Sequence, residues 1–297
     1  MGDLGFQDRV AIITGAGGGL GRQHALLLAS RGAQVVVNDL GGSVSGEGGS
    51  EGPAHATAKE ITDLGGVAVP DTNSVATPEG GEAIVQTAVE AFGRVDIVIN
   101  NAGILRDKAF HNMTPELLDP VLDVHLRGAF NVTRPAWTKM REQSYGRVLN
   151  TSSNAGILGN FGQSNYGAAK MGLVGLTRVL AAEGARYNIR ANAIAPVAGT
   201  RMTEELLGPL AAKLDPALVS PIAAWLVHED CDVTGEIYSA AGGRIARFFI
   251  GLTPGYYNPG LTLEDVRDNF EQIRREDGYT VPTGIADEFA QLLQYFA

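Results

Sequence analysis

The sequence predicts an α/β protein: a doubly wound, seven-stranded parallel sheet with helices on both faces and a helical extension at the C terminus. Three observations predict it. Short β-branched runs alternate with Ala-rich stretches of helical period, as parallel strands buried on both faces require. A glycine-rich turn joins the first such run to the first helical stretch. The last fifty-odd residues then change character. Pro254, Pro259 and Pro282 punctuate them, and from Thr262 onward acids outnumber bases by eight to three.

The strands follow in order from the apolar runs, at residues 10–14, 34–38, 67–70, 97–100, 147–151, 190–194 and 236–239. Helices fill the gaps, among them 21–31, 78–92, 115–141, 166–187 and 217–228, and right-handed crossovers place them on both faces. Residues 41–52 hold six glycines in twelve positions and read as a flexible loop leaving the second strand. Helical pieces at 263–275 and 286–295 form the extension, which gives a main α/β domain over 1–245 and an extension over 246–297. Phe248, Phe249 and Ile250 suit an extension packed on that domain or on a partner subunit rather than a free tail.

Composition bounds the function. The chain has 297 residues, 44% hydrophobic and 19% charged, which is ample for a core. A net charge of −10 disfavours a global clamp on nucleic acid or anionic membrane. No apolar run is long enough to span a bilayer. Residues 1–9 include Asp3 and Asp8 and lack the basic start of a secretory leader, so a reducing compartment is expected. A lone Cys231 rules out an intrachain disulfide, and His24, His55, His111 and His228 show no ligand spacing, so no metal site is expected.

The turn reads Thr14-Gly15-Ala16-Gly17-Gly18-Gly19-Leu20-Gly21 and opens into a helix. Glycines let backbone approach a pyrophosphate closely, and the helix N terminus offers that anion unpaired N–H groups. Gly15, Gly19, Leu20 and Gly21 are therefore candidate cofactor contacts. Asp39 ends the second strand about 20 residues on, where an acid suits an adenosine ribose 2′-hydroxyl and repels a 2′-phosphate. Arg22 is too late in the turn to offset it. NAD is favoured over NADP.

Asn100-Asn101-Ala102-Gly103 follows the fourth strand, Ser153 the fifth, and Tyr166-Gly-Ala-Ala-Lys170 opens the next helix. Four residues apart, Tyr166 and Lys170 share a helix face, about 6 Å apart along its axis. An ammonium there favours the phenolate and draws the phenol toward the working range. Ser153 stands at the carboxyl end of a strand, where such sheets bind ligands, and can polarise a carbonyl against Tyr166.

Together these motifs resemble the short-chain dehydrogenase/reductase family over about residues 5–245. The resemblance implies a Rossmann-type domain that moves a hydride between a nicotinamide and an alcohol or ketone. It implies Tyr166 as general acid/base, Ser153 as stabiliser of the substrate oxygen and Lys170 as ribose ligand. Asn101, Ala102 and Gly103 would line the cofactor, Asn73 and Ser74 its adenine side, and Pro196 and Thr200 its carboxamide. Two departures stand out. Pro196-Val197 replaces the usual Pro-Gly, and Val124-His125-Leu126-Arg127-Gly128 has histidine where the family has a catalytic asparagine. His125 is either the fourth member of the catalytic set, acting through its backbone carbonyl and a water, or a packed helix histidine.

Longer stretches are more specific: residues 36–42, 101–107, 125–128 and 159–163. They resemble the branch of that family forming the (3R)-hydroxyacyl-CoA dehydrogenase unit of peroxisomal multifunctional enzymes type 2, also called 17β-hydroxysteroid dehydrogenase type 4. This implies NAD-dependent oxidation of (3R)-3-hydroxyacyl-CoA, possible for steroid side-chain thioesters too. Oxidation of a free 17β-hydroxysteroid is the alternative, and a catalytically idle assembly subunit a remote one. Coenzyme A calls for a basic rim, for which Arg106, Lys108 and Arg127 are candidates. The branch implies a homodimer or homotetramer, with surplus apolar residues Leu118, Leu122, Leu126, Phe130, Leu173, Leu176 and Leu180 at the interface. The chain ends without a peroxisomal tripeptide, so it is expected to be a cytoplasmic bacterial relative, or peroxisomal if a fragment of a larger enzyme.

Overall fold

The computed structural model describes residues 4–204 and 208–296; Met1 and Asp3, read above for a leader, and Ala297 at the chain end lie outside them. Strands β1 (Val10–Thr14), β2 (Gln34–Asn38), β3 (Val67–Asp71), β4 (Ile97–Asn100), β5 (Gly146–Thr151), β6 (Ile189–Val197), β7 (Ile237–Ala241) and β8 (Arg244–Phe248) form one sheet in the order β3-β2-β1-β4-β5-β6-β7-β8. The first seven pair in parallel, with Ile12 opposite both Val36 and Val98. The seven expected parallel strands are all present, and an eighth, β8, extends the sheet beyond β7. Arg244–Phe248 carries two arginines and few β-branched residues, and only the Gly242-Gly243 turn, with both φ angles positive, folds it back beside β7.

Helices α1 (Gly19–Ser30), α2 (Gly52–Asp63), α3 (Pro78–Phe92), α4 (Pro115–Leu122), α5 (Gly128–Gln143), α6 (Asn154–Leu158), α7 (Ser164–Gly184) and α8 (Ser220–Val227) cover the sheet and its edge. Side chains alternate across each strand. Ala11, Ile13, Val35, Val37, Ile97 and Ile99 therefore meet Leu28 of α1, Ile61 of α2 and Ile222 of α8. Val10, Ile12, Val36, Val98 and Val148 meet Ile84 of α3 and Val132 and Met140 of α5 on the other face. Two-faced burial confines the polar side chains of β1, β2 and β4 to the strand ends, which is why their middles read as apolar runs.

The helix expected over 115–141 is interrupted. A π turn over Asp123–Arg127 separates α4 from α5 and puts His125 indoors, 3% exposed. Such turns recur at functional sites. The glycine stretch 41–52 is also more ordered than a flexible loop. Gly41 N–H donates to Asp39 Oδ1, Ser50 N–H to Leu40 O, and Gly46 N–H to Ser43 O, before α2 starts at Gly52.

At the far end of the sheet Arg147 is 1% exposed, and its guanidinium donates to Gly146 O and Asn188 O and lies 4.4 Å from the Tyr145 ring. His24, fully buried and held near a pKa of about 4 by desolvation, lies 2.8 Å from Ser220 Oγ and joins α1 to α8.

The chain divides into two units at Arg247 and Phe248. Within the second, Leu252 pairs with Thr280, and short helices run over Leu263–Asp268, Phe270–Arg274 and Ile285–Leu293. Thr262 and Asp265 form a reciprocal cap on the first of these. Phe249 stacks on Tyr279, and Tyr257 on Tyr295. No helix among the described residues is long and apolar enough to cross a membrane.

Candidate active site

Chain order reverses between β1 and β4, which opens a crevice beyond the carboxyl ends of the strands. A cavity of about 520 Å³ lies there. Gly15, Gly19, Leu20, Asp39, Asn73, Ser74, Asn101, Ala102, Gly103, His125, Ser153, Tyr166, Lys170, Pro196 and Thr200 all line it. Gly21 does not. A Cβ there would stand 2.3 Å from Gly15 O, so Gly21 lets α1 pack against the turn.

The glycine turn fits a bound diphosphate. A Cβ on Gly18 would meet nothing within 4 Å, and one on Gly19 only Thr200 at 3.5 Å or more. Behind this open face α1 begins with no side-chain cap and no acid in its first turn, so its first N–H groups have no side-chain acceptor from the helix itself. Asp39 accepts Gly17 N–H at 2.9 Å and Gly41 N–H at 2.7 Å, one on each carboxylate oxygen. Each oxygen keeps a further lone pair for a ribose hydroxyl.

Asp71 is a residue that reading the sequence missed. Buried at the end of β3, its carboxylate accepts from Asn38 Nδ2, Asn73 N–H, Asn73 Nδ2 and Thr87 Oγ1. Asn73's amide is thereby turned so that its oxygen is the free end. The acid ending an otherwise apolar strand was the available signal. Asn101 donates to Thr14 O and Gly15 O, bracing the turn from β4.

Ser153 caps α6, with Oγ accepting Ala155 N–H at 3.2 Å and donating to Asn154 Oδ1 at 3.3 Å. Besides capping α6, Ser153 lines the cavity. Lys170 Nζ lies 5.4 Å from the Tyr166 ring centre and donates to Thr151 O at 2.5 Å. The expected lowering of the Tyr166 phenol is reversed here. Burial pushes it above its ordinary value, more than the Ser153 hydrogen bond lowers it, and Asp107 adds to the rise. Burial also pulls Lys170 down to about 7, so the ammonium that would favour the phenolate is itself disfavoured.

The His125 ring meets Tyr166 edge-on, centroids 5.1 Å apart. Its Nε2 lies 2.8 Å from Ile104 O and 3.1 Å from Ile104 N. Burial, then the charge of Lys170, hold its pKa well below 6.5, so the ring is neutral. A small second cavity of about 10 Å³, room for one water, is walled by Thr14, Asn100, His125 and Lys170 among others.

The basic rim differs from expectation. Arg106 gives its guanidinium to Ser45 O and Glu116 O, and Arg127 pairs with Asp123. None of Arg106, Lys108 and Arg127 lines the cavity, whereas exposed Arg201 does. Arg201 follows Thr200 directly, and only the fold brings that segment over the site. Among the described residues no group of three or more His, Cys, Asp or Glu could hold a metal ion.

A family model described as short chain dehydrogenase matches residues 9–208. A protein described as a short-chain type dehydrogenase/reductase of Mycobacterium tuberculosis is 54% identical over 271 residues, covering 91% of this chain and 95% of that one. The peroxisomal multifunctional enzyme type 2 of Mus musculus is 49% identical over 275 residues, 91% of this chain but 37% of the enzyme. Among solved structures, the full-length peroxisomal multifunctional enzyme type 2 from Drosophila melanogaster superposes with a TM-score of 0.82 at 37% identity, covering 98% of this chain and 50% of that chain. The chain therefore spans 37% and 50% of the length of these two multifunctional enzymes.

Proposed function

The chain belongs to the short-chain dehydrogenase/reductase family, and from that premise we propose that it oxidises a (3R)-3-hydroxyacyl-CoA to the 3-oxoacyl-CoA with NAD+. The observation that carries the reading is the convergence of Ser153, Tyr166 and Lys170 on the cavity that the glycine turn and Asp39 also line. A nicotinamide dinucleotide, when bound, supplies the hydride acceptor. Gly15, Gly19 and Leu20 with the α1 N terminus would hold its diphosphate, Asp39 its ribose, and Asn73 and Ser74 its adenine side. Ser153 holds the substrate oxygen and Tyr166 takes the hydroxyl proton. Lys170, hydrogen-bonded to Thr151 O, stands behind the phenol as the next proton carrier.

Leu158 and Met202 give the cavity an apolar wall suited to an acyl chain, and Arg201 offers its rim a cation for the phosphates of coenzyme A. The working unit in this reading is a homodimer at least. Leu173, expected at the interface, is already in the core at 1% exposure, but Phe130 on α5 and Met171 and Val179 on α7 remain outside. Met171 and Val179 are eight apart and share a face.

The test is a panel of (3R)- and (3S)-3-hydroxyacyl-CoAs and 17β-hydroxysteroids, each with NAD+ and NADP+, followed by reduced-cofactor absorbance. Turnover of the (3R) thioesters is expected, with catalytic efficiency at least about tenfold higher for NAD+ because Asp39 opposes a 2′-phosphate. Turnover of steroids or (3S) thioesters alone refutes the substrate, and equal use of NADP+ refutes the cofactor preference.

For His125 the reading is support of the tyrosine and of a water route to Lys170. One neutral imidazole nitrogen cannot both donate to Ile104 O and accept from Ile104 N, whereas an amide can do both. His125→Asn is therefore expected to keep at least about a third of wild-type kcat. Collapse of turnover in a folded variant would show that the imidazole acts directly.

A further inference from the structure

We propose that Asn165 is the positioning residue of the catalytic tyrosine, clamping three chain segments so that the phenol is held at one place in the cavity. Its side chain is fully buried, donates from Nδ2 to both Arg106 O and Leu117 O at 2.9 Å, and accepts Tyr166 N–H at Oδ1 at 2.7 Å. Both amide hydrogens are in use.

The local reason lies in the start of α7. Amides in the first turn of a helix have no acceptor within the helix. Tyr166 is the third residue of α7, where Gly167 N–H already takes Gln163 O, so the Tyr166 N–H needs a partner from elsewhere. Asn165 supplies it and ties the same point to α4, through Leu117, and to the irregular strap of residues 104–108.

That strap is held at each step. Ile104 meets His125, Leu105 N–H donates to Val44 O, Arg106 Nε to Ser45 O, and Lys108 N–H to Gly162 O. The frame that fixes the tyrosine's backbone thus also fixes the histidine against its ring and the loop that Asp39 begins. An amide is the side chain this place needs. A carboxylate would face two carbonyl oxygens, and an apolar isostere would take from the buried Tyr166 N–H the partner that Asn165 supplies.

The inference rests on Tyr166 being the acid/base group and adds how it is held. Two variants test it, Asn165→Ala and Asn165→Asp. Each is expected to lower kcat by about 10- to 100-fold, as displacements near 1 Å do at reacting groups. The NADH dissociation constant, read by fluorescence without substrate, should change by less than about threefold. A kcat within threefold of wild type in a folded variant overturns the proposal. So does an equal loss of kcat and NADH affinity, which would mean general damage to the fold.

Amide exchange in the wild-type protein decides the matter even where neither variant folds. With 15N-tyrosine labelling, the Tyr166 N–H should exchange slowly, and exchange as fast as an exposed helix-start amide overturns the clamp. This measurement needs no substrate. Failure of the 3-hydroxyacyl-CoA panel would therefore refute the substrate reading while leaving the clamp to be judged by exchange.

Discussion

Tyr166→Phe is expected to lower kcat by about 10²- to 10⁴-fold, the usual contribution of a positioned acid/base group, while NADH binding stays within about threefold of wild type. The substitution removes one hydroxyl and nothing else. The ring keeps its edge-on contact with His125, and Lys170 keeps its bond to Thr151 O. The Asp39 and glycine-turn contacts lie elsewhere in the cavity, which is why affinity should survive. Direction matters as well. Burial holds the Tyr166 phenol above its ordinary value, so at neutral pH it is protonated. A protonated phenol can donate to a ketone but must first lose its proton to accept one from an alcohol. Alcohol oxidation should therefore speed up as pH rises and ketone reduction should not. Steady-state assays of the variant and of both directions from pH 6 to 10 check this. A variant keeping more than about one hundredth of wild-type activity contradicts the assignment.

Lys170→Met is expected to flatten the pH dependence of stability of the cofactor-free protein. Lys170 is 3% exposed, and desolvation lowers its pKa from 10.5 to about 7. Below pH 7 both folded and unfolded chains hold the proton, and the folded state carries the burden of a buried ammonium. Between 7 and 10.5 the unfolded chain holds a proton that the folded one has released. Stability then rises with pH, by about 1.4 kcal/mol per unit and roughly 5 kcal/mol at most across that window. Methionine has no such titration and fills similar space. Urea midpoints from pH 6 to 10 should show wild type gaining on the variant through the alkaline range. Parallel curves would mean that the lysine is hydrated or paired in the folded state.

The strands β1, β2 and β4 were legible to the residue because burial on both faces forces a short run of β-branched apolar residues, and the turn-forming residues around each run set its length apart from a helix. That the glycine turn, Asp39, Tyr166 and Lys170 would meet at one cavity was legible for a related reason, since the roles proposed for them depend on residue type and on spacing along one element, and both are written in the chain. β8 was not legible, since it is a strand only through the edge that β7 offers. Helix α2 was hidden behind the glycine stretch, and the break at Asp123–Arg127 lies within a sequence of ordinary helical period.

The amino-acid sequence by itself thus determined the fold class and the parallel strands, and it named in advance the glycine turn and the side chains that the fold gathers at one cavity. Only the tertiary structure decided the state those side chains are in. Burial, not the neighbouring charge, governs Tyr166 and Lys170, because desolvation depends on everything that surrounds a group. It also decided that Arg106 braces a loop while Arg201 faces the cavity, and that Asn165 joins segments 48 and 59 residues away. Contacts between distant segments exist only once the sheet has brought its carboxyl ends together, so no local pattern in the chain encodes them.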